Sequence, residues 1–229
     1  KAVASLYPEA CQIVVRKDSD ITSLDDLEGK NVSVGEEESG TERNATQILE
    51  MCGLPDNLVN TKNLDYTDAA DQLAEKKIDA FFCTAGICTT VIEELTKECD
   101  IRLLEIPESC RQKLKKAYSF YDDYVIPAGT YSGQTEDIQT ISVQSVLLAS
   151  STLSEKTVQK LTASLFKHIK DIQYSISINL QLTPQEAVKG ITIPFHPGAE
   201  TYYKLEGVEP PTEERIQNAK KILEFNKYK

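Results

Sequence analysis

Between Cys11 and Ile106 short, β-branched apolar runs alternate with amphipathic segments of helical period, and that alternation restricts the chain to a layered α/β sheet. CQIVVR, residues 11–16, reads as a buried strand. ITSLDDLEGK reads as a short surface helix with Ser23 as its cap, Asp25 and Asp26 in its first turn and Gly29 at its end. NVSVG follows as a short strand. Ala45, Ile48, Leu49 and Cys52 then fall on one helical face, and Gly53 and Pro55 stop that helix. Thr67 or Asp68 caps a second helix through Ala69, Ala70 and Leu73, which leads into the buried strand IDAFFCT. A third helix from about Thr89 to Lys97 leads to IRLLEI. Strands and helices at this spacing predict a mostly parallel, doubly wound sheet.

Beyond Pro107 the order changes to a helix through Leu114, the aromatic stretch YSFYDDY, a turn at IPAGTYSG and a long apolar strand, ISVQSVLLAS. The rest reads as helical. Val158, Leu161, Leu165, Phe166 and Ile169 form one amphipathic face, and Ile216, Ala219 and Leu223 another. Two long apolar strands, near 11–17 and 141–150, therefore enclose the α/β unit. The expected organisation is a second lobe at 18–140 inserted between crossing strands, with 1–17 and 141–229 forming the hinge strands and the C-terminal helical remainder of the first lobe.

Composition narrows the function. A chain of 229 residues, 40% hydrophobic and 27% charged, can bury a core. Its formal charge of −11 argues against nucleic acid as a partner, because phosphate contacts need clustered Lys and Arg. No stretch approaches the roughly 18 uninterrupted apolar residues of a membrane span. The start, KAVASLYPEA, lacks the charged and apolar regions of a signal peptide, so an export signal would have to have been removed. Six cysteines show neither CxxC nor paired zinc spacing, and packing as free thiols is the favoured reading over a disulfide. No ligand cluster for a metal is present, no cofactor motif, and none of the GxSxG, GxxxxGK[ST], HExxH or GxGxxG patterns. A Cys83–His196 nucleophile pair has no local support. His168 reads as a surface residue, and HPGAE as a helix start with Pro197 in its first turn.

The chemistry concentrates in VGEEESGTERNA. A strand ends at Gly35, and Ser39, Gly40 and Thr41 open a helix at the edge of the sheet where α/β folds bind ligands. Unpaired amide hydrogens and the positive end of the helix dipole would receive a carboxylate or phosphate there, with the Ser39 and Thr41 hydroxyls as further donors. Ser39 or Thr41 acting simply as an N-cap accounts for the same spacing. Thr84-Ala85-Gly86 follows another strand and would face the same crevice, although a tight turn needing Gly86 is the simpler reading of that loop alone. Glu36, Glu37 and Glu38 suit the helix dipole without any ligand; the sharper alternative pairs one of them with the ammonium of an amino acid.

Several stretches, in order, resemble the TAXI-family solute receptors of TRAP transporters: ASLYPEACQIVVRKDSDITSLDDLEGKNVSVGEEESGTERNA, KIDAFFCTAG, IRLLEIP, VIPAGTYSGQTEDIQTISVQSVLLAS and IPFHPGAETYYKLEG. The resemblance runs from near residue 4 to about 207. It implies a non-enzymatic, extracytoplasmic receptor of the type II periplasmic-binding-protein fold, with two α/β lobes joined by crossing hinge strands. Such a receptor closes on a small carboxylate, glutamate or a dicarboxylate such as 2-oxoglutarate, and delivers it to a membrane permease. By the same resemblance the ligand-binding residues are Ser39, Gly40, Thr41 and Asn44 at the helix start, Thr84, Ala85 and Gly86 at the strand end, Tyr7 in SLYPE, and Tyr131 in GTY. Relatives open with a further strand and a Gly-rich segment, so the first lobe is expected to be incomplete here. Alternatives are an enzyme or sensor domain on the same scaffold, or a fragment that binds nothing.

Overall fold

A computed structural model of the chain describes residues 1–55, 57–175, 180 and 182–217. Residues Ala219 and Leu223, assigned above to a last amphipathic helix, lie outside them. The chain forms two compact units. One comprises Glu9–Lys115 and Tyr121–Val143; the other comprises Lys1–Pro8, Lys116–Phe120 and the chain from Gln144 onward.

The larger unit is built on a mixed sheet. Strands β1 (Ala2–Arg16), β2 (Asn31–Ser33), β3 (Asn60–Lys62), β4 (Ala80–Ala85), β5 (Ile101–Leu103), β6 (Asp122–Ile126) and β7 (Ile138–Leu148) stand in the order β3-β2-β4-β1-β7-β6, with β5 also on β1. The β3-β2-β4 segment is parallel. β1 runs antiparallel to both β4 and β5, and β6 antiparallel to β7. The expectation of a mostly parallel sheet is corrected in this respect. Alternation of strand with helix fixes the direction of β2 to β4 through their right-handed crossovers, but says nothing about a strand such as β1 that enters before any helix.

Helices α1 (Gly40–Met51), α2 (Tyr66–Ala74), α3 (Thr90–Glu98) and α4 (Glu108–Ala117) complete the layers. The register pairs Gln12 with Cys83 and Cys11 with Thr84, so alternate residues of β1 and β4 face opposite sides. On the side of Ala10, Val14, Phe81 and Cys83 lie Ala69, Ala70 and Leu73 of α2 and Ile92 and Leu95 of α3. α1 lies on the side of Thr84, to which its Asn44 donates a hydrogen bond. The buried stripe of α1, Thr41, Asn44, Ala45, Ile48 and Leu49, keeps strict helical spacing. β1 is buried on both faces from Ala10 to Val15, which is why its sequence there is apolar apart from Gln12.

Local chemistry moves some boundaries. ITSLDDLEGK forms only a 3-10 turn, Asp25–Leu27, without a cap from Ser23. Instead one carboxylate oxygen of Asp26 accepts from the backbone N–H and hydroxyl of both Thr22 and Ser23. That local closure competes with helix propagation. α2 is capped two or three residues earlier than expected: Asp65 accepts from Asp68 N at 2.8 Å.

The other unit packs α5 (Glu155–Lys167), α6 (Ile169–Ser175) and α7 (Pro197–Leu205) around the first residues of β1. His196 caps α7 and Pro197 occupies its first turn, as HPGAE predicts. Gly198 is required there, since a Cβ at this position would sit 2.2 Å from the Glu155 carbonyl oxygen of α5. Phe166 stacks on Tyr202 with centroids 5.3 Å apart, and the Tyr203 hydroxyl donates to Val3 O at 2.9 Å. His168 caps the end of α5 and pairs with Asp171 at 3.0 Å, half exposed as anticipated. All six cysteines are free thiols.

Candidate functional site

The loop after β2 turns sharply at Gly35, whose φ of 99° lies in the left-handed region. A Cβ there would lie 2.9 Å from the Thr41 Cβ and 3.1 Å from the Ser39 Oγ. Only glycine therefore lets the strand end meet the first turn of α1 so closely. Asn63 locks the arrangement by donating to Gly35 O at 2.9 Å and to the Glu42 carboxylate at 2.7 Å.

Ser39 is the N-cap of α1, accepting from Glu42 N at 3.1 Å. Glu42 reaches back to accept from Glu38 N at 2.6 Å, a variant of the capping box in which the reciprocal bond falls one residue before the cap. Between them, the amide hydrogens of Gly40 and Thr41 have no hydrogen-bond partner among the described residues. Gly40 is exposed, and space is open around its Cα. These two donors, at the positive end of a twelve-residue helix, are what an anion would meet.

The Thr41 side chain turns inward. Its Oγ1 lies 2.5 Å from the Tyr66 hydroxyl, which donates onward to Thr84 O at 3.0 Å. Asn44 Nδ2 donates to Thr84 Oγ1 at 3.3 Å, while Asn44 Oδ1 accepts from the Tyr121 hydroxyl at 2.9 Å. The helix start and the strand end named from the sequence are thus joined by hydrogen bonds, with Tyr66 and Asn44 as the ties. Burial, followed by the nearby Cys83 thiol, pushes the Tyr66 hydroxyl up to about 12, so it remains a donor throughout the neutral range.

Gly86 is braced from the other face of the sheet. The Thr89 hydroxyl donates to Gly86 O at 2.6 Å and accepts from Gln12 Nε2 at 3.2 Å. Tyr131, 3% exposed, donates to Gln12 Oε1 at 2.5 Å and accepts from Thr89 N at 3.2 Å. Every donor in this chain of bonds has an acceptor, which fixes the loop rather than leaving it adaptable. Ala85 is half-buried at the end of β4, opposite Ala10. Tyr7 lies on β1 within the other unit, half-buried.

Glu36, Glu37 and Glu38 are exposed. Their backbone shapes the turn: Glu36 O accepts from Ser39 N at 3.1 Å, and Glu38 adopts a φ of 63°. Tyr66, Tyr121, Gln12, Thr89 and Asn63 carry no motif and escape sequence reading. Glu42 is the exception, because the spacing of Ser39 and Glu42 is itself a capping-box signal. A separate cavity of about 590 Å³ is lined by Lys17, Arg102, Glu105, Gln134 and Tyr131, among others, but by none of residues 39–44 or 84–86. Burial pushes the Cys83 thiol up to about 12, which leaves no thiolate nucleophile near neutral pH. Among the described residues no group of three or more His, Cys, Asp or Glu side chains is placed to hold a metal ion.

The mixed α/β units define the two-lobed fold of type II periplasmic substrate-binding proteins. The periplasmic aliphatic sulphonate binding protein SsuA of Escherichia coli matches with a TM-score of 0.50 at 15% identity, over 97% of this chain and 61% of that one. An ancestral arginine-binding protein bound to arginine matches at 18% identity over 75% of this chain and 61% of that one, with a TM-score of 0.41. A structure described for glutathione import in Streptococcus mutans through GshT and the cystine importer TcyBC matches at 14% identity over 93% and 64%, with a TM-score of 0.42. The chain spans less than two thirds of the length of each. Residues 1–207 match the NMT1-like family, and the chain belongs to that family.

Proposed function

We propose that the chain is the ligand-gripping part of an extracytoplasmic solute receptor, a binding protein rather than an enzyme, that takes up a small carboxylate and presents it to membrane permease subunits. The observation that carries this reading is the pair of unpartnered amide hydrogens on Gly40 and Thr41, held beside Thr84 by the Thr41–Tyr66–Thr84 and Asn44–Thr84 bonds. In this reading the ligand carboxylate accepts from Gly40 N and Thr41 N, and the Ser39 hydroxyl donates to it. The backbone of Thr84, Ala85 and Gly86 supplies the opposing wall. Asn44 and Tyr131 act as positioning residues, since their polar atoms are already bonded to neighbouring groups. Tyr7 is assigned a ligand contact on the family resemblance alone.

The NMT1-like family and the substrate-binding neighbours support the receptor class. The ordered run of motifs from SLYPE to HPGAETYY supports the finer assignment to the TAXI receptors of TRAP transporters, with glutamate or 2-oxoglutarate as the ligand type. Among the described residues no helix is long and apolar enough to cross a membrane, which is compatible with a permease supplied separately. Equilibrium dialysis with L-glutamate and 2-oxoglutarate, each beside its fully esterified analogue, tests the reading. One acid should bind in a one-to-one ratio and be recovered chemically unchanged, and its ester should not bind. Equal binding of acid and ester, or conversion of the ligand, would contradict it.

A further inference from the structure

β5 has one paired side and one free side. Lys17 N donates to Asp100 O and Leu104 N to Ile13 O, each at 2.9 Å, and these bonds flank the pair Val15–Arg102. The alternation of an antiparallel ladder therefore turns the N–H and C=O of Arg102 toward β1, and those of Ile101 and Leu103 away from it. Among the described residues β5 pairs with β1 alone, and the outward groups of Ile101 and Leu103 have no hydrogen-bond partner.

That free side is sheltered. The cavity of about 590 Å³ reaches Ile101, Arg102 and Leu103 in succession. The Ile101 and Leu103 side chains share a core with Tyr131 and Ile138, which form one wall of the cavity. Arg102 turns to the opposite face, where its Nη1 donates to Ile21 O at 2.6 Å beside the second wall, Thr22 to Leu24. A cavity walled from both faces of a strand lies along its edge. Ile101 and Leu103 are 6% and 5% exposed, so their outward groups open into a groove where an extended backbone would satisfy them. The two ends of the groove differ in charge. Lys17 lines it at one end, opposite Asp100 where β5 begins, and Glu105, held by Gln139 N at 3.3 Å, lines it at the other.

We propose that this groove binds a short peptide with free termini, which adds to β5 as an antiparallel strand. Alternate residues of the peptide exchange N–H···O bonds with Ile101 and Leu103, its carboxylate meets Lys17 and its ammonium meets Glu105. The parallel orientation would set like charges together at both ends, so charge selects the antiparallel one. At about 3.4 Å per residue the edge from Asp100 to Glu105 runs about 17 Å, which takes about four peptide residues with an ion pair at each end. A strand passing through from a larger partner would bring no terminal charges to Lys17 and Glu105, which is why a free peptide is the better fit. None of residues 39–44 or 84–86 lines the groove, so this binding is independent of the carboxylate site.

The test is to titrate the isotope-labelled chain with tetra-L-alanine and follow its backbone amides by NMR. The Ile101 and Leu103 amides should shift saturably while those of Gly40 and Thr41 stay in place. The N-acetylated, C-amidated peptide should bind about tenfold more weakly or worse. Lys17→Met, an exposed substitution, should weaken the free peptide by about 3- to 5-fold and leave the blocked one unaffected. N-methylation of the third residue alone and of the second and fourth together should differ, one abolishing binding and the other sparing it, because only alternate amides face the edge. Equal binding of free and blocked peptides, or shifts confined to Gly40 and Thr41, would overturn the proposal. So would Ile101 and Leu103 shifts that follow protein concentration without peptide, which would give the edge to a second copy of the chain.

Discussion

At the scale of single residues the site depends on two groups that do not resemble ligand contacts. Tyr66 satisfies the Thr84 carbonyl and the Thr41 hydroxyl at once. Tyr66→Phe should cost about 1–3 kcal/mol in urea unfolding, because both partners lose a bond in a half-buried setting. Gly35→Ala should cost more, about 2–4 kcal/mol, since the new Cβ meets Thr41 at 2.9 Å and the backbone must hold a left-handed φ. Both are read from chemical denaturation, and a loss within 0.5 kcal/mol or so in either case would contradict the packing described. Ser39, Gly40 and Thr41 were legible from the sequence because a strand end, a cap residue and a glycine form a local pattern. Tyr66 was not, because its role depends on a hydroxyl reaching across the sheet end, a long-range contact that no spacing encodes. The run of three glutamates has a similar limit: its charge is conspicuous in the sequence, whereas in the structure its backbone shapes the turn and its side chains are exposed.

At the scale of elements, the helices followed from apolar periodicity, and α1 begins within a residue of its expected start. Strand direction did not, because β1 has no preceding crossover to set its sense. The short segment at Ile21–Gly29 shows a different competition, in which one carboxylate organises a turn against helix propensity. Asp26 there is held at about 2, first through the Thr22 N–H and then through the Ser23 N–H and the two hydroxyls. Its folded value lies below that of the unfolded chain, so the stabilisation is fully present above about pH 4 and is lost as pH falls through about 2. The acid limb of the stability curve should therefore flatten in Asp26→Ala relative to the parent chain between about pH 4 and pH 2. Thermal midpoints collected across that interval provide the check; parallel curves for the two proteins would refute the assignment.

At the scale of the molecule, two compact units and a mixed sheet carry the type II fold, and the chain belongs to the NMT1-like family. Ordered motifs made that fold readable from the sequence, since each motif marks a strand end or helix start of the scaffold. The proposed grip on a carboxylate reduces to a few amide hydrogens, and Gly40 allows one of them to be removed cleanly. It is the first residue of α1, where proline is well tolerated, its Cα is surrounded by open space, and Ser39 before it is already extended. The most direct measurement is calorimetric titration of the carboxylate ligand into the parent chain and into Gly40→Pro, with the thermal midpoint of each recorded alongside. The account predicts an unchanged midpoint and an affinity lower by about 10- to 100-fold, the effect of losing one charge-assisted hydrogen bond. Equal affinities in two equally stable proteins would contradict it.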